Sequence, residues 1–205
     1  MSPFEPIDDP YVDPVSGVLV NLLGVETREA LRLAEADLVW ARTNQLLESP
    51  PPTTGDLAQL RAIHRHLFQD VFEWAGQLRA VDLTRDTPGS QPFLLVSFIE
   101  RAAESAAAAL REEALLRGLE RREFVERLAF HYDAFNYIHP FREGNGRTQR
   151  LMWSQIAREA GWVLDWRSVQ GERNDEACRV AAVDLDLTRL EAMFDDIVSE
   201  RAPRA

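Results

Sequence analysis

Twelve consecutive residues, His139-Pro140-Phe141-Arg142-Glu143-Gly144-Asn145-Gly146-Arg147-Thr148-Gln149-Arg150, bring together an imidazole, a carboxylate, a glycine turn and three arginines. A histidine titrates near neutrality, which suits it to take a proton from a hydroxyl nucleophile. Pro140 forbids a continuing helix, so His139 is expected at or just beyond a helix end. Gly144-Asn145-Gly146 reads as a tight turn opening a long amphipathic helix, and amides at such a start bind anions. Arg147 and Arg150 stand three apart and are expected to share a helix face, offering forked donors to a phosphate chain. Glu143 would repel that chain unless Mg²⁺ sits between them, held by one carboxylate and phosphate oxygens. The set amounts to a base, a metal ligand, an anion cradle and a charge clamp, which is what transfer at a nucleotide phosphate needs. Each residue alone has a plainer reading as a cap, a turn or a solvated pair; their proximity argues for chemistry.

The elements that must position this segment are helical. Thr27 is a plausible N-cap for a run with Leu31, Ala34, Leu38 and Ala41 on one face, ended by Ser49-Pro50-Pro51-Pro52. A second helix is expected from Asp56, through Leu60, His64, Leu67 and Val71, to about Trp74-Ala75-Gly76. Residues 78–85 alternate, Thr87-Pro88-Gly89-Ser90 signals a turn, and Phe93-Leu94-Leu95-Val96 can return, so a β-hairpin is expected over 78–96. Further helices are expected over about 96–117, 121–136, from just after Gly144, 172–182 and 188–199. The fold class is all-α, a helical bundle with one hairpin insert. Residues 1–26 read as an irregular lead-in, 27–200 as one domain and 201–205 as a tail.

Bulk properties narrow the function. The 205 residues are 45% apolar and 28% charged, ordinary for a globular domain. The net charge of −11 disfavours a dedicated nucleic-acid binder. No apolar run approaches the ~18 residues of a membrane helix. The acidic start, MSPFEPIDDP, lacks a signal pattern, so no membrane partner and a cytoplasmic location are expected. Cys178 stands alone and has no internal disulfide partner. Every basic residue is arginine, which excludes Schiff-base lysine chemistry and a Walker-type phosphate loop. His64 and His66, two apart on a helix, cannot easily share a metal and are assigned to packing or surface, and His131 to the core edge. Trp74, Trp153, Trp162 and Trp166 are expected in the core. Glu112-Glu113 and Asp195-Asp196 are read as solvated faces.

The twelve-residue segment resembles the Fic motif, His-Pro-Phe-x-(Asp/Glu)-Gly-Asn-(Gly/Lys)-Arg-x-x-Arg, and matches every specified position. Residues 60–79 (LRAIHRHLFQDVFEWAGQLR) look like that family's helix leading to its flap. Residues 11–23 (YVDPVSGVLVNLL) are similar to the start of stand-alone bacterial Fic toxins. The resemblance covers roughly residues 10–195. It implies the Fic fold, with the 78–96 hairpin as the flap, and transfer of AMP from ATP to a Tyr, Ser or Thr hydroxyl of a target protein held on the flap edge. By resemblance, His139 would be the base, Phe141 a core anchor and Glu143 the Mg²⁺ ligand. Gly144, Asn145 and Gly146 would hold the α- and β-phosphates, and Arg147 and Arg150 the outer ones. Thr84 and Arg85 lie where family members touch the nucleotide. The helix near 172–183 would add adenine contacts, although Val183 stands where the family often has Asn.

Two further implications follow from the resemblance. Fic enzymes are commonly blocked by a (Ser/Thr)-x-x-x-Glu-(Gly/Asn) helix whose Glu pairs with the last motif arginine, here Arg150. The nearest match, Ser168 to Glu172 followed by Arg173, lacks the final residue and is rejected. The expectation is therefore a toxin restrained by a small separate antitoxin supplying that Glu. Its candidate targets are the ATPase subunits of DNA gyrase and topoisomerase IV. The alternatives are a Doc-like phosphotransferase, against which Gly146 in place of Lys argues, a module that binds nucleotide or protein without catalysis, and a metal-dependent hydrolase, for which too few ligands are visible.

Overall fold

The computed structural model describes residues 9–84, 92–169 and 171–200. Helix α1 spans Arg28–Glu48, and the Thr27 hydroxyl caps it by accepting from the Ala30 N–H. Helix α2 spans Leu57–Phe68, with the Asp56 carboxylate capping through the Gln59 N–H. Helices α3 (Ile99–Glu112), α4 (Arg121–Ile138), α5 (Asn145–Ala160), α6 (Gly171–Asp184) and α7 (Thr188–Ile197) follow. Helix α5 lies at the centre, packed on α2, α4 and the strand that follows it. Its Met152, Trp153, Ile156 and Ala157 are fully buried, which is the stripe its apolar periodicity demands.

The mostly helical architecture agrees with the sequence expectation, and four details differ. First, the only paired strands among the described residues are β1 (Trp162–Leu164) and β2 (Val198–Glu200), antiparallel with Val163 opposite Ser199. The last helix therefore stops at Ile197 and its tail becomes a strand. Second, residues 78–84 and 92–96 form no strands. Among the described residues one backbone bond joins the arms, from the Phe93 N–H to the Leu83 carbonyl at 3.1 Å. Side chains take other backbone groups of the described arms. The Asp82 carboxylate takes the Val96 N–H at 2.8 Å, and the Arg79 guanidinium takes the carbonyls of Val81 and Leu94. Backbone groups satisfied in this way leave no ladder to build. Arg85 and the turn at 87–90 lie outside the described residues, as do residues 1–8 of the lead-in and the 201–205 tail.

Third, α2 ends at Phe68 instead of near Gly76. The chain folds back over its own helix. The Gly76 N–H reaches the His64 ring at 2.8 Å, the Gly76 carbonyl accepts from Arg61, and Trp74 stacks on Phe72 at 4.2 Å. Gly76 has φ +79°, and a Cβ there would sit 2.8 Å from the Arg65 Cβ, so glycine is required. Fourth, the expected helix over 96–117 is α3 flanked by two short 3₁₀ turns, with Ala114, Leu115 and Leu116 all at positive φ. Glu113, read as solvated, instead pairs with Arg127 and with the buried His131 ring. Trp153 and Trp162 are buried, and Trp74 and Trp166 pack against the core from half-buried positions.

Candidate active site

Helix α4 ends at Ile138, and His139 turns left-handed there, with φ 46° and ψ 62°. Pro140 makes that break obligatory. The His139 carbonyl accepts from the Arg79 Nε at 2.8 Å, and the Pro140 carbonyl accepts from the Arg79 N–H at 2.9 Å. The His139 ring stacks on Phe93 of the flap, with centroids 3.6 Å apart. Arg79 is 2% exposed. A cation so buried keeps its place because carbonyls surround it and the Asp82 carboxylate lies 3.8 Å from its Nη1.

The turn that follows is braced from within. Phe141 is buried and stacks on the His64 ring at 4.0 Å. The Asn145 side chain accepts from the Phe141 N–H at 2.9 Å and donates to the Phe141 carbonyl at 2.7 Å. Its amide is thus committed to the loop itself. Gly144 has φ +80° and opens α5, and a Cβ on it would fall 2.4 Å from the Phe68 ring. Gly146, in contrast, is exposed, with open space where a side chain would stand. The start of α5 therefore presents its first turn outward at Gly146 while resting on Phe68 at Gly144.

Glu143 is fixed through its backbone. Its carbonyl accepts from the His64 Nε2 at 3.0 Å. Because the His64 Nδ1 accepts from the Gly76 N–H, the proton must be on Nε2, and the ring is neutral. Burial pushes the His64 pKa down to about 4, which agrees with that tautomer. The Glu143 carboxylate caps the Gly144 N–H at 2.9 Å, lies 3.4 Å from the Arg147 Nη2, and remains 45% exposed.

Two cavities flank this carboxylate. One, of about 780 Å³, is bordered by His139, Glu143, Phe93, Thr84 and, on α6, Asn174 and Cys178. The other, of about 710 Å³, lies toward α1 and is bordered by Glu143, Arg142, Arg147, Glu35, Arg28 and Arg32. The sequence placed Arg147 and Arg150 on one face, but their surroundings differ. Arg147 pairs with Glu35 of α1 and lies over the Phe68 ring. Arg150 makes no ion pair among the described residues and lies close enough to the Tyr132 hydroxyl to oppose the upward push of burial on its pKa. Thr84 borders the His139 cavity; Arg85 lies outside the described residues, and Val183 is on α6 but does not border the cavity. Sequence reading missed His64, Arg79 and Glu35. The one available signal was a polar residue recurring on an otherwise apolar helix face, His64 among Leu60, Ile63 and Leu67.

The donor set suits a hard cation. Glu143 offers accessible carboxylate oxygens beside the start of α5, and Mg²⁺ takes one or two carboxylates together with phosphate oxygens and water. No cluster of three or more His, Cys, Asp or Glu side chains exists among the described residues, so such an ion would be shared with a nucleotide.

A left-handed histidine at a helix end, a glycine-opened helix start and a carboxylate between two cavities, set in a helical bundle, define a Fic-type domain. Residues 54–157 match the Fic/DOC family, and the chain belongs to that family. It is 39% identical over 192 residues to the "Probable protein adenylyltransferase Fic" of Escherichia coli (strain K12), covering 94% of this chain and 93% of that protein. It is 38% identical over 177 residues to protein adenylyltransferase VbhT of Bartonella schoenbuchensis, covering 86% of this chain but 36% of that longer protein. Among solved structures, the BepC protein of Bartonella tribocorum with bound AMPPNP superposes with a TM-score of 0.86 at 27% identity, covering 94% of this chain and 97% of that one. The N-terminal Fic domain of a Bep effector of Bartonella quintana with bound ADP gives 0.86 at 30% identity, covering 93% of this chain and 95% of that one.

Proposed function

We propose that this chain is a protein adenylyltransferase that moves AMP from ATP to a Tyr, Ser or Thr hydroxyl of a target protein. The observation that carries the reading is that His139, Glu143 and Thr84 border one cavity beside the outward-facing start of α5. Relatives named protein adenylyltransferases and neighbours holding AMPPNP or ADP support it.

In this reading the acceptor hydroxyl attacks the α-phosphorus and gives its proton to His139. The bond between the α-phosphorus and the bridging oxygen breaks, and pyrophosphate leaves with the electron pair. The α5 start and Gly146 cradle the phosphates. Arg150, free of carboxylate partners among the described residues, meets the outer phosphate. Arg147 borders the cavity on the far side of Glu143 and adds positive charge from there. Glu143 would hold Mg²⁺, which when bound neutralises charge on the phosphate chain. The flap arms would hold the acceptor segment by backbone pairing.

The same reading extends to a toxin held by a small antitoxin whose glutamate occupies Arg150. That Arg150 makes no ion pair among the described residues supports this part. It also extends to a cytoplasmic site of action, with the ATPase subunits of gyrase and topoisomerase IV as first targets. No helix among the described residues is long and apolar enough to cross a membrane.

The test is incubation of candidate target subunits with enzyme, Mg²⁺ and ATP labelled on the α- or the γ-phosphate. Label from the α-position alone, with a mass increase of about 329 Da on a hydroxyl side chain, is expected, and His139→Ala should remove it. Label from the γ-position would establish the phosphotransferase instead. Growth inhibition that survives His139→Ala would establish a binding module.

A further inference from the structure

Helix α1 sends one carboxylate inward. Glu35 is 7% exposed, and its Oε1 stands 2.5 Å from the Arg147 Nη1, an ion pair largely shielded from water. Burial raises the pKa of Glu35, Arg147 opposes that rise, and the nearby Glu143 adds to it. The same guanidinium is 3.4 Å from the Glu143 Oε1 and packs over the Phe68 ring with 4.8 Å between its carbon and the centroid.

Arg147 therefore stands between two carboxylates, with Glu35 almost an ångström nearer than Glu143. Coulomb attraction steepens as distance falls and as water is excluded, and both factors favour Glu35. Glu35 has only its ion pair to occupy it, whereas Glu143 is half exposed and borders both cavities. Without a negative charge at position 35, the nearest acceptor left for Arg147 is Glu143. A guanidinium lodged on Glu143 forks onto the oxygens that a divalent cation must use.

We infer that Glu35 is a positioning residue that draws Arg147 off Glu143 and so keeps that carboxylate available to a divalent cation. The inference rests on the reading of Glu143 as a metal ligand in nucleotide transfer, and it deepens that reading by assigning a role to a residue outside the motif. Outer partners of metal ligands commonly change metal affinity by about 10–100-fold when removed.

The experiment measures Mn²⁺ bound to the protein by electron paramagnetic resonance in the presence of saturating AMPPNP, alongside thermal unfolding. Glu35→Gln keeps the shape and removes the charge. It should raise the Mn²⁺ concentration at half-saturation about tenfold. Glu35→Asp, which keeps the charge, should stay closer to the unsubstituted protein. The paired change Glu35→Gln with Arg147→Gln leaves no charge buried alone, and it is read against Arg147→Gln alone because Arg147 also serves the nucleotide. With no guanidinium left to hold, the charge at position 35 has no work to do, so those two variants should bind Mn²⁺ alike. Equal half-saturation for Glu35→Gln and the unsubstituted protein overturns the role of Glu35, as does a double variant clearly weaker than Arg147→Gln. If Glu35→Gln fails to fold, the comparison of the double variant with Arg147→Gln decides. Unsubstituted protein that binds no Mn²⁺ with AMPPNP refutes the functional reading, and Glu35 with it.

Discussion

The motif turn at 139–146 and the flap arms at 82–84 and 92–95 face the same cavity and are held in opposite ways. The turn is braced by buried groups at three points: Phe141 on His64, Asn145 on the Phe141 backbone, Gly144 on Phe68. The flap arms share one backbone bond and otherwise depend on Arg79, on Asp82 and on a bond from the Leu94 N–H to the Tyr137 carbonyl. The turn is thus a part of the core that carries the candidate site residues. The flap is a covering segment whose order is borrowed. Substitutions in the turn and its supports should cost stability and activity together, and substitutions in the flap should cost activity with little loss of stability.

Four substitutions probe that division, beginning with the largest expected effect. Arg79→Met removes donors from the carbonyls of His139, Val81 and Leu94 at once. It should destabilise the protein by about 4 kcal/mol in denaturant titration, because buried acceptors are left unpaired. A loss below about 1 kcal/mol would mean that the flap and the turn are not joined through this residue. Gly144→Ala meets both a left-handed backbone and the Phe68 ring. It should cost about 3 kcal/mol and abolish nucleotide binding by calorimetry, and pairing it with Phe68→Leu should recover part of the stability.

His64 gives a pH-dependent effect. Its folded pKa of about 4 lies below the ordinary value of 6.5, so between those two the unfolded chain binds more protons than the folded one. Stability from this group is present above the unfolded pKa and is lost as the pH falls from about 6.5 toward 4, by up to ~3 kcal/mol at about 1.4 kcal/mol per unit. His131, also depressed by burial, acts with the same sign. His64→Gln should flatten that part of the stability profile of the metal-free protein; an unchanged slope would mean that His64 titrates as if exposed. The smallest stability effect is expected for Phe93→Ala, below about 1 kcal/mol. Loss of the ring stacked on His139 should nonetheless slow AMP transfer about tenfold, since small displacements of a reacting group are costly.

What could be read from the sequence follows the same division. The twelve motif residues are local, so Pro140 and Gly144 announce the end of α4 and the start of α5 directly. The caps Thr27 and Asp56 likewise fix α1 and α2 at their starts. The supports are remote: His64 reaches Glu143 across 79 positions and Arg79 reaches His139 across 60. Nothing in helical periodicity says that an H-x-H pair will put one ring under the motif and the other on the Arg42 carbonyl. The flap shows the converse failure. Alternation in LRAVDLTR correctly signals extended chain, but alternation is blind to Arg79 and Asp82 taking the backbone groups that a ladder would have used.

Arg79 has one more consequence. Its guanidinium grips both flap arms and the His139 carbonyl, so the cover and the proposed base share a single datum. On the proposed function, an acceptor peptide held on the flap would be gauged from the same point that sets the imidazole. On that reading, a slip of one residue in the alignment would shift the acceptor oxygen relative to His139 by a full backbone step.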